Sequence, residues 1–180
     1  MIQKLSTNLI HKNPYFEYYQ DKFTVDDKGE ELDYYYCLTK GGAITIPILE
    51  DGRLILIRQY RYVVDKHSIE FPCGGVDGEE SPSQTIKREL LEETGYDAKE
   101  FIKLGEFQSA PGRFRDFCSV FVATDLTKIQ EPVPETTGPI EVLLRRVDEF
   151  EEMIKHGEIW DGYTLSAWAI TREYVYGLLT

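Results

Sequence analysis

The chain has 180 residues, of which 42% are hydrophobic and 29% are charged, and this composition excludes an intrinsically disordered protein. The 32 acidic residues outnumber the 20 basic ones, and the formal net charge of −12 argues against nonspecific binding to nucleic acid. No run of about 18 apolar residues occurs, so the sequence predicts no membrane span.

The length and the cysteines indicate the organisation and the compartment. A chain of this length fits one domain with a small extension, and we expect an N-terminal β-strand extension over residues 1–40 and a main domain over residues 41–180. The three cysteines lie far apart without a CxxC pair, which argues against a zinc site or a disulfide framework. The first residues also lack the apolar core of a signal peptide. Together these features predict a protein of the reducing cytoplasm.

The N-terminal segment is rich in aromatic residues. Eight large aromatic side chains lie between residues 15 and 36, and the turn signal at 26–29 predicts two strands around it. A two-stranded hairpin is marginal alone and must pack on another surface. Because an exposed aromatic patch is typical of an interface, we predict a homodimer that builds part of its site from both chains. The alternative is a monomer whose hairpin folds over its own sheet.

The middle of the chain contains a hairpin signal and a strong helix signal. Two apolar runs, 43–49 and 54–57, flank Asp51-Gly52, which predicts a hairpin. A short strand over 68–71 and a glycine-rich loop over 72–78 follow. Ser81 then suits a helix N-cap and Pro82 the first helical position, and Gly95 suits the C-terminal end.

The C-terminal half mixes strands and helices without a regular βαβ alternation. We predict strands over 101–107, 117–123 and 140–144, a loop over 130–139, and helices over 147–156 and 164–179. The whole pattern predicts an α+β fold with a mixed sheet.

The helix over 82–94 places carboxylates on its apolar side. At about 100° per residue, with Ile86 at 0°, Leu90 falls near 40°, Glu93 near −20° and Glu89 near −60°. Glu92 falls near −120°, so the three carboxylates crowd one side of the helix. Burying such groups unpaired costs several kcal/mol, and a divalent cation such as Mg²⁺ would remove this cost by binding their oxygens. Glycine in the preceding loop would let a backbone carbonyl approach the same place.

These residues resemble the Nudix box, G-x(5)-E-x(7)-R-E-U-x-E-E-x-G-U, where U is aliphatic. The sequence matches it from Gly74 to Gly95, with Tyr96 in the last, usually aliphatic position. The resemblance implies an α/β/α sandwich and hydrolysis of a nucleoside diphosphate linked to another group, with Mg²⁺ or Mn²⁺. It also implies that the metal ligands are the carboxylates of Glu89, Glu92 and Glu93 and the backbone carbonyl of Cys73. Arg88 would brace this cluster, and Glu80 would hold the loop against the helix.

Flanking segments resemble the subgroup of ADP-ribose pyrophosphatases and related nucleoside-diphosphate-sugar hydrolases. They are residues 57–62, 69–75 and 109–112, and the tail 157–161 with 164–165. The resemblance implies that the N-terminal strands pack on, or swap with, a partner chain and help to hold the base. Arginine suits bidentate recognition of phosphate, although each arginine could instead form a surface salt bridge. The residues that we assign to substrate binding are Arg58, Arg61, Glu70, Pro111, Arg113 and Arg115.

The general base and the substrate stay open at this point. A carboxylate that takes the proton from water could be Glu92 itself or one on a late loop, where Glu135 and Glu141 are available. We favour an ADP-ribose-like substrate, and the alternative is another nucleoside diphosphate derivative such as GDP-mannose. A catalytically silent Nudix domain that senses a ligand is a third hypothesis, but such a domain usually loses box glutamates and none is lost here.

Overall fold

A computed structural model describes residues 1–25, 29–134 and 138–179. The described residues form eleven strands and three helices. In chain order these are β1 (Ile2–Lys12), β2 (Glu17–Val25), β3 (Glu31–Leu38), β4 (Gly42–Pro47), β5 (Leu54–Arg61), β6 (Lys66–Glu70), β7 (Cys73–Gly75), α1 (Pro82–Thr94), β8 (Tyr96–Phe107), β9 (Phe114–Arg115), β10 (Cys118–Lys128), β11 (Glu141–Arg145), α2 (Val147–Lys155) and α3 (Gly162–Leu179).

The chain divides into two compact units. The first comprises Met1–Gly41 and Gln108–Phe117, and the second comprises Gly42–Phe107 and Cys118–Thr180. No helix in the described part of the chain is both long enough and apolar enough to span a lipid bilayer.

The first unit is a four-stranded sheet in the order β1-β2-β3-β9. Strands β1 to β3 are antiparallel, and β9 joins β3 in parallel. Aromatic side chains pair across β2 and β3, with ring centroids 5.6 Å apart for Tyr19 and Tyr36 and 6.2 Å apart for Tyr18 and Tyr35. The predicted strands on either side of 26–29 are β2 and β3, but residues 26–28 of that turn lie outside the described residues. The sequence did not predict β1, because two register shifts against β2 interrupt its alternation of polar and apolar residues.

The second unit contains a mixed sheet between two helices, as the sequence predicted. Its order is β7-β4-β10-β8, with β4 parallel to β10 and the other pairs antiparallel. Alternate residues of β4 face opposite sides: Ala43 packs with Ile86 of α1, whereas Ile44 belongs to the cluster that contains Trp168 of α3. The helices α1 and α3 therefore cover opposite faces of the sheet, which is the expected α/β/α sandwich.

The prediction that the two apolar runs pair as a hairpin was wrong, because they lie in different sheets. A turn does form, with Gly52 at φ 82° and the Leu49 amide donating to the Arg53 carbonyl at 2.9 Å. Beyond it only the isolated bridge between Ile48 and Leu54 joins the two segments. The strand β4 lies in the mixed sheet, whereas β5 lies in a separate antiparallel sheet of order β11-β5-β6. The glycine-rich loop also contains the short strand β7 rather than being a loop throughout.

The helix α1 begins and ends where the sequence predicted. Ser81 is its N-cap, and the Ser81 hydroxyl accepts from the backbone amide of Gln84. The side-chain carbonyl of Gln84 in turn accepts from the backbone amide of Ser81. Gly95 closes the helix in the left-handed conformation at φ 74°, which glycine adopts without strain. Both ends of α1 are therefore fixed, and the face of the helix that carries the carboxylates keeps one orientation toward the sheet.

Candidate active site

The helix α1 presents one carboxylate to solvent and buries two. Glu93 is 3% exposed and Glu89 is 9% exposed, whereas the Glu92 side chain is 47% exposed. This order follows the helical wheel, because Glu93 lies nearest to Ile86 and Leu90, which are fully buried. Two acidic groups at positions i and i+4 repel each other when both are ionised. Their burial on one helix face thus requires a positive charge nearby.

Arg88 connects three of the acidic side chains. Its Nη1 donates to Glu89 Oε1 at 2.6 Å and to Glu92 Oε2 at 3.1 Å. Its Nε donates to Glu80 Oε1 at 3.1 Å, and the hydroxyl of Thr85 donates to the other oxygen of Glu80 at 3.1 Å. The hydrogen bonds from Arg88 lower the pKa of Glu80, and the same contacts raise the pKa of Arg88. Arg88 therefore holds Glu80 at the beginning of the helix and orients Glu89 and Glu92 beside it.

The glycine-rich loop approaches the helix too closely for any other residue. A Cβ on Gly74 would lie 1.9 Å from Glu89 Oε1, so only glycine leaves room for this carboxylate. The neighbouring Cys73 amide donates to Glu93 Oε2 at 3.0 Å. A hydrogen bond with the Cys118 thiol and burial raise the pKa of the Cys73 thiol, which therefore stays protonated at neutral pH. The backbone, rather than the thiol, is the part of Cys73 that can serve a hard cation.

The donor set fits an ion that keeps part of its own hydration. Among the described residues, no group of three or more His, Cys, Asp or Glu side chains is arranged to hold a metal on its own. Mg²⁺ is usually bound by one or two carboxylates together with waters and substrate phosphates. The two buried carboxylates, Glu89 and Glu93, match that requirement, and Gly74 lets the loop approach Glu89 closely. The arrangement suits a shared cation between protein and phosphate more than a closed structural site.

A second charged pair adjoins this cluster. Arg61 Nε donates to Glu70 Oε1 at 2.8 Å, its Nη2 reaches the other oxygen, and Glu70 is 3% exposed. This bidentate contact raises the pKa of Arg61, to which the charges of Asp161 and Glu93 add. Burial and the charge of Glu70 raise the pKa of Asp161. Arg61 and Glu70 thus lie close enough to Glu93 to share its electrostatic environment.

The other residues assigned from the sequence fall elsewhere. Arg58 and Glu141 are opposite each other on β5 and β11 and form an exposed ion pair with a 3.1 Å distance between Arg58 Nη1 and Glu141 Oε2. Glu135 lies outside the described residues. Pro111, Arg113 and Arg115 belong to the first unit, where their side chains are exposed.

Sequence reasoning gave no role to the beginning of α3. Asp161 Oδ2 accepts from the Thr164 amide at 2.7 Å, and Thr164 Oγ1 accepts from the Phe71 amide at 3.1 Å. An acidic residue three positions before a threonine at the start of a predicted helix is a capping signal that could have identified these two residues.

The comparisons with known proteins agree with this geometry. The family described as the NUDIX domain matches residues 38–165. An ADP-ribose pyrophosphatase of Bacillus subtilis (strain 168) is 28% identical over 128 residues, which cover 71% of this chain and 69% of that protein. A GDP-mannose pyrophosphatase of Yersinia enterocolitica is 30% identical over 190 residues, which cover 99% of this chain and 97% of that protein.

A solved structure supports the fold. The crystal structure of an ADP compounds hydrolase superposes with a TM-score of 0.86 and 23% identity, over 98% of this chain and 95% of that one. Since the family match spans more than half of the sequence and includes α1 with the loop before it, this chain belongs to the NUDIX domain family.

Proposed function

We propose that this protein hydrolyses the pyrophosphate bond of a nucleoside diphosphate sugar, with ADP-ribose as the favoured substrate, and releases a nucleoside monophosphate and a sugar phosphate. The observation that carries this proposal is the pair of buried carboxylates, Glu89 and Glu93, on one face of α1, with Glu89 packed against Gly74 of the loop before the helix. The relatives named for ADP-ribose and GDP-mannose support the substrate class.

The cation that the proposal requires is Mg²⁺ or Mn²⁺. Its ligands in this proposal are Glu89, Glu92, Glu93 and the backbone carbonyl of Cys73. When bound, it neutralises charge on the phosphates and lowers the pKa of coordinated water. Arg88 orients Glu89 and Glu92 through its two short contacts, and the Cys73 amide fixes the Glu93 carboxylate.

The other candidate residues differ in the contacts that favour a role in substrate binding or catalysis. Arg61 stays charged at any pH in use, and its contact with Glu70 fixes its position near Glu93, which suits it to binding a phosphate oxygen. Glu92 is the candidate general base with the most solvent access in the cluster. Arg58 and Glu141 engage each other, so either would have to leave that pair to reach a substrate. Arg113 and Arg115, with Pro111, stay proposals for binding the distal part of the substrate.

GDP-mannose is the second candidate because a GDP-mannose pyrophosphatase matches nearly the full length of this chain. ADP-ribose and GDP-mannose should be supplied separately at equal concentration with Mg²⁺ or Mn²⁺, and AMP and GMP quantified by chromatography. We expect kcat/KM to favour ADP-ribose. Preference for GDP-mannose would replace the substrate but keep the chemistry, and no turnover of any nucleoside diphosphate sugar would overturn the proposal in favour of a silent ligand-sensing domain.

We also propose that the protein acts as a homodimer in a reducing cytoplasm. The strand β1 is exposed along its whole length and carries Ile2, Leu5, Leu9 and Ile10. None of the described residues of the first unit is buried, although its sheet is rich in aromatic side chains. A sheet without a buried face needs a covering surface, which a second copy would supply. The three cysteines are free thiols, which favours a reducing compartment.

A further inference from the structure

The four residues that join β6 to β7 link the two charged parts of the site. Glu70 at one end pairs with Arg61, and Cys73 at the other end donates to Glu93. Strand β6 ends at Glu70 and β7 begins at Cys73, so the two residues between them belong to neither strand. The position of Cys73 relative to Glu93 therefore depends on the pairing of β7 with β4 and on what holds Phe71 and Pro72.

A hydrogen bond to the backbone holds each of these two residues. The Thr45 amide donates to the Pro72 carbonyl at 3.0 Å, and proline has no amide hydrogen to donate in return. The Phe71 amide donates to the Thr164 hydroxyl at 3.1 Å. A side chain of α3 thus supplies the bond that the sheet does not provide.

Thr164 is itself held by a carboxylate. It is fully buried, and its amide donates to Asp161 Oδ2 at 2.7 Å. Trp168, one turn later on α3, contacts Phe71 with ring centroids 6.5 Å apart.

We propose that Asp161 and Thr164 are positioning residues. They hold the Phe71–Cys73 segment so that the Cys73 amide donates to Glu93 and the Cys73 carbonyl can bind the divalent cation. This inference rests on the proposed function, because it concerns the same cation. Neither residue touches the reacting atoms. They act through a series of contacts: Asp161 accepts from the Thr164 amide, and the Thr164 hydroxyl accepts from the Phe71 amide. Phe71 in turn precedes Cys73 by two residues.

The test compares two threonines of the same helix. Thr164→Val removes the hydroxyl with little change of shape, and Thr171→Val is the matched control. Thr171 is also fully buried, but its hydroxyl donates to the Ala167 carbonyl at 2.8 Å within α3. Binding of Mn²⁺ to the full chain without substrate should be measured by electron paramagnetic resonance of the free ion, and kcat and KM should be measured alongside.

We expect Thr164→Val to raise the dissociation constant for Mn²⁺ about tenfold and to lower kcat, as loss of an outer-shell contact typically does. Thr171→Val should leave both values near those of the wild type, and Thr164→Ser should restore them because it returns the hydroxyl. KM for the substrate should change little in all three. An Mn²⁺ affinity of Thr164→Val equal to that of Thr171→Val would overturn the positioning role.

Two further results keep this test decisive. If Thr164→Val does not fold, Asp161→Asn takes its place, because asparagine keeps an acceptor for the Thr164 amide but removes the charge. Its affinity for Mn²⁺ should fall, and unchanged affinity would overturn the proposal. A wild-type protein that neither binds Mn²⁺ nor hydrolyses a nucleoside diphosphate sugar would instead refute the proposed function, which separates the two failures.

Discussion

At the scale of single residues, the proposed metal site depends most on Glu93. It is the most deeply buried carboxylate of α1, and the Cys73 amide fixes one of its oxygens. The buried position of this glutamate follows from its angle on the helix, and the sequence alone predicted it. The hydrogen bond from Cys73 could not be predicted, because it depends on how β7 pairs with β4.

Replacement of Glu93 by glutamine tests its role as a ligand. Glu93→Gln keeps an oxygen that can accept from the Cys73 amide but removes the charge and the repulsion from Glu89. We expect kcat to fall at least about a hundredfold, because the cation stabilises transition-state charge by several kcal/mol. The melting temperature should be unchanged or higher. Glu79→Gln, which changes an exposed glutamate in the loop before α1, is the control, and wild-type turnover in Glu93→Gln would refute the assignment.

The pH dependence of stability tests the Glu80–Arg88 contact. Arg88 lowers the pKa of Glu80 from its ordinary value of 4.5, so the contact stabilises the fold at pH values above 4.5. This contribution is lost as the pH falls through the lowered pKa and Glu80 is protonated. In excess chelator, the melting temperature of Glu80→Gln should lie below that of the wild type at pH 7. The gap should narrow as the pH falls below 4.5 and Glu80 is protonated, and a gap of constant size would show that the pair does not contribute to the pH dependence of stability.

At the scale of elements, the sequence predicted the parts that local chemistry determines. The helix α1 has an N-cap, a proline at its first position and a terminal glycine, and its bounds are those predicted. The pairing of β4 and β5 failed for the opposite reason. The Asp51-Gly52 turn is local and forms, but β4 pairs with β10, which lies about seventy residues further along the chain, and tertiary pairing overrides a hairpin signal. In α3, Ala169 is exposed, whereas the polar residues Thr164 and Thr171 are buried.

The approach of the glycine-rich loop to α1 is the element contact on which the site depends. Gly74→Ala would place a methyl group 1.9 Å from Glu89 Oε1 and 2.0 Å from its Cδ, which forces the carboxylate or the loop to move. We expect Mn²⁺ affinity and turnover to fall at least about tenfold. Gly162→Ala, with no atom within 4 Å of the added group, is the control. Equal Mn²⁺ affinity in both variants would show that the close approach is not needed.

At the scale of the whole molecule, the two units differ in how far their sheets are buried. The second unit has buried apolar clusters on both faces of its mixed sheet and contains the carboxylate cluster. The first unit has no buried residue among those described, which is the structural basis for proposing a second copy. The sequence predicted an aromatic extension that needs a covering surface, but not the additional strand β1, whose polar residues lack a clear alternation.

The oligomeric state is measured by light scattering at micromolar concentration. We expect about twice the chain mass of 20.9 kDa. Deletion of residues 1–38 should then give an aggregating or inactive protein, because the sheet of the first unit is removed along with its proposed partner contacts. A stable and fully active monomer, either full-length or truncated, would exclude a site shared between chains and leave the hydrolase assignment unchanged.

The central claim is metal-dependent cleavage of a pyrophosphate bond, and hydrolysis of ADP-ribose in ¹⁸O-labelled water tests it most directly. Mass spectrometry of the products should show AMP and ribose 5-phosphate, with one ¹⁸O atom introduced per turnover into one of the two phosphates. Excess chelator should abolish the reaction, and added Mg²⁺ or Mn²⁺ should restore it. Full activity in chelator, release of orthophosphate from the intact substrate, or cleavage of the glycosidic bond would contradict the account.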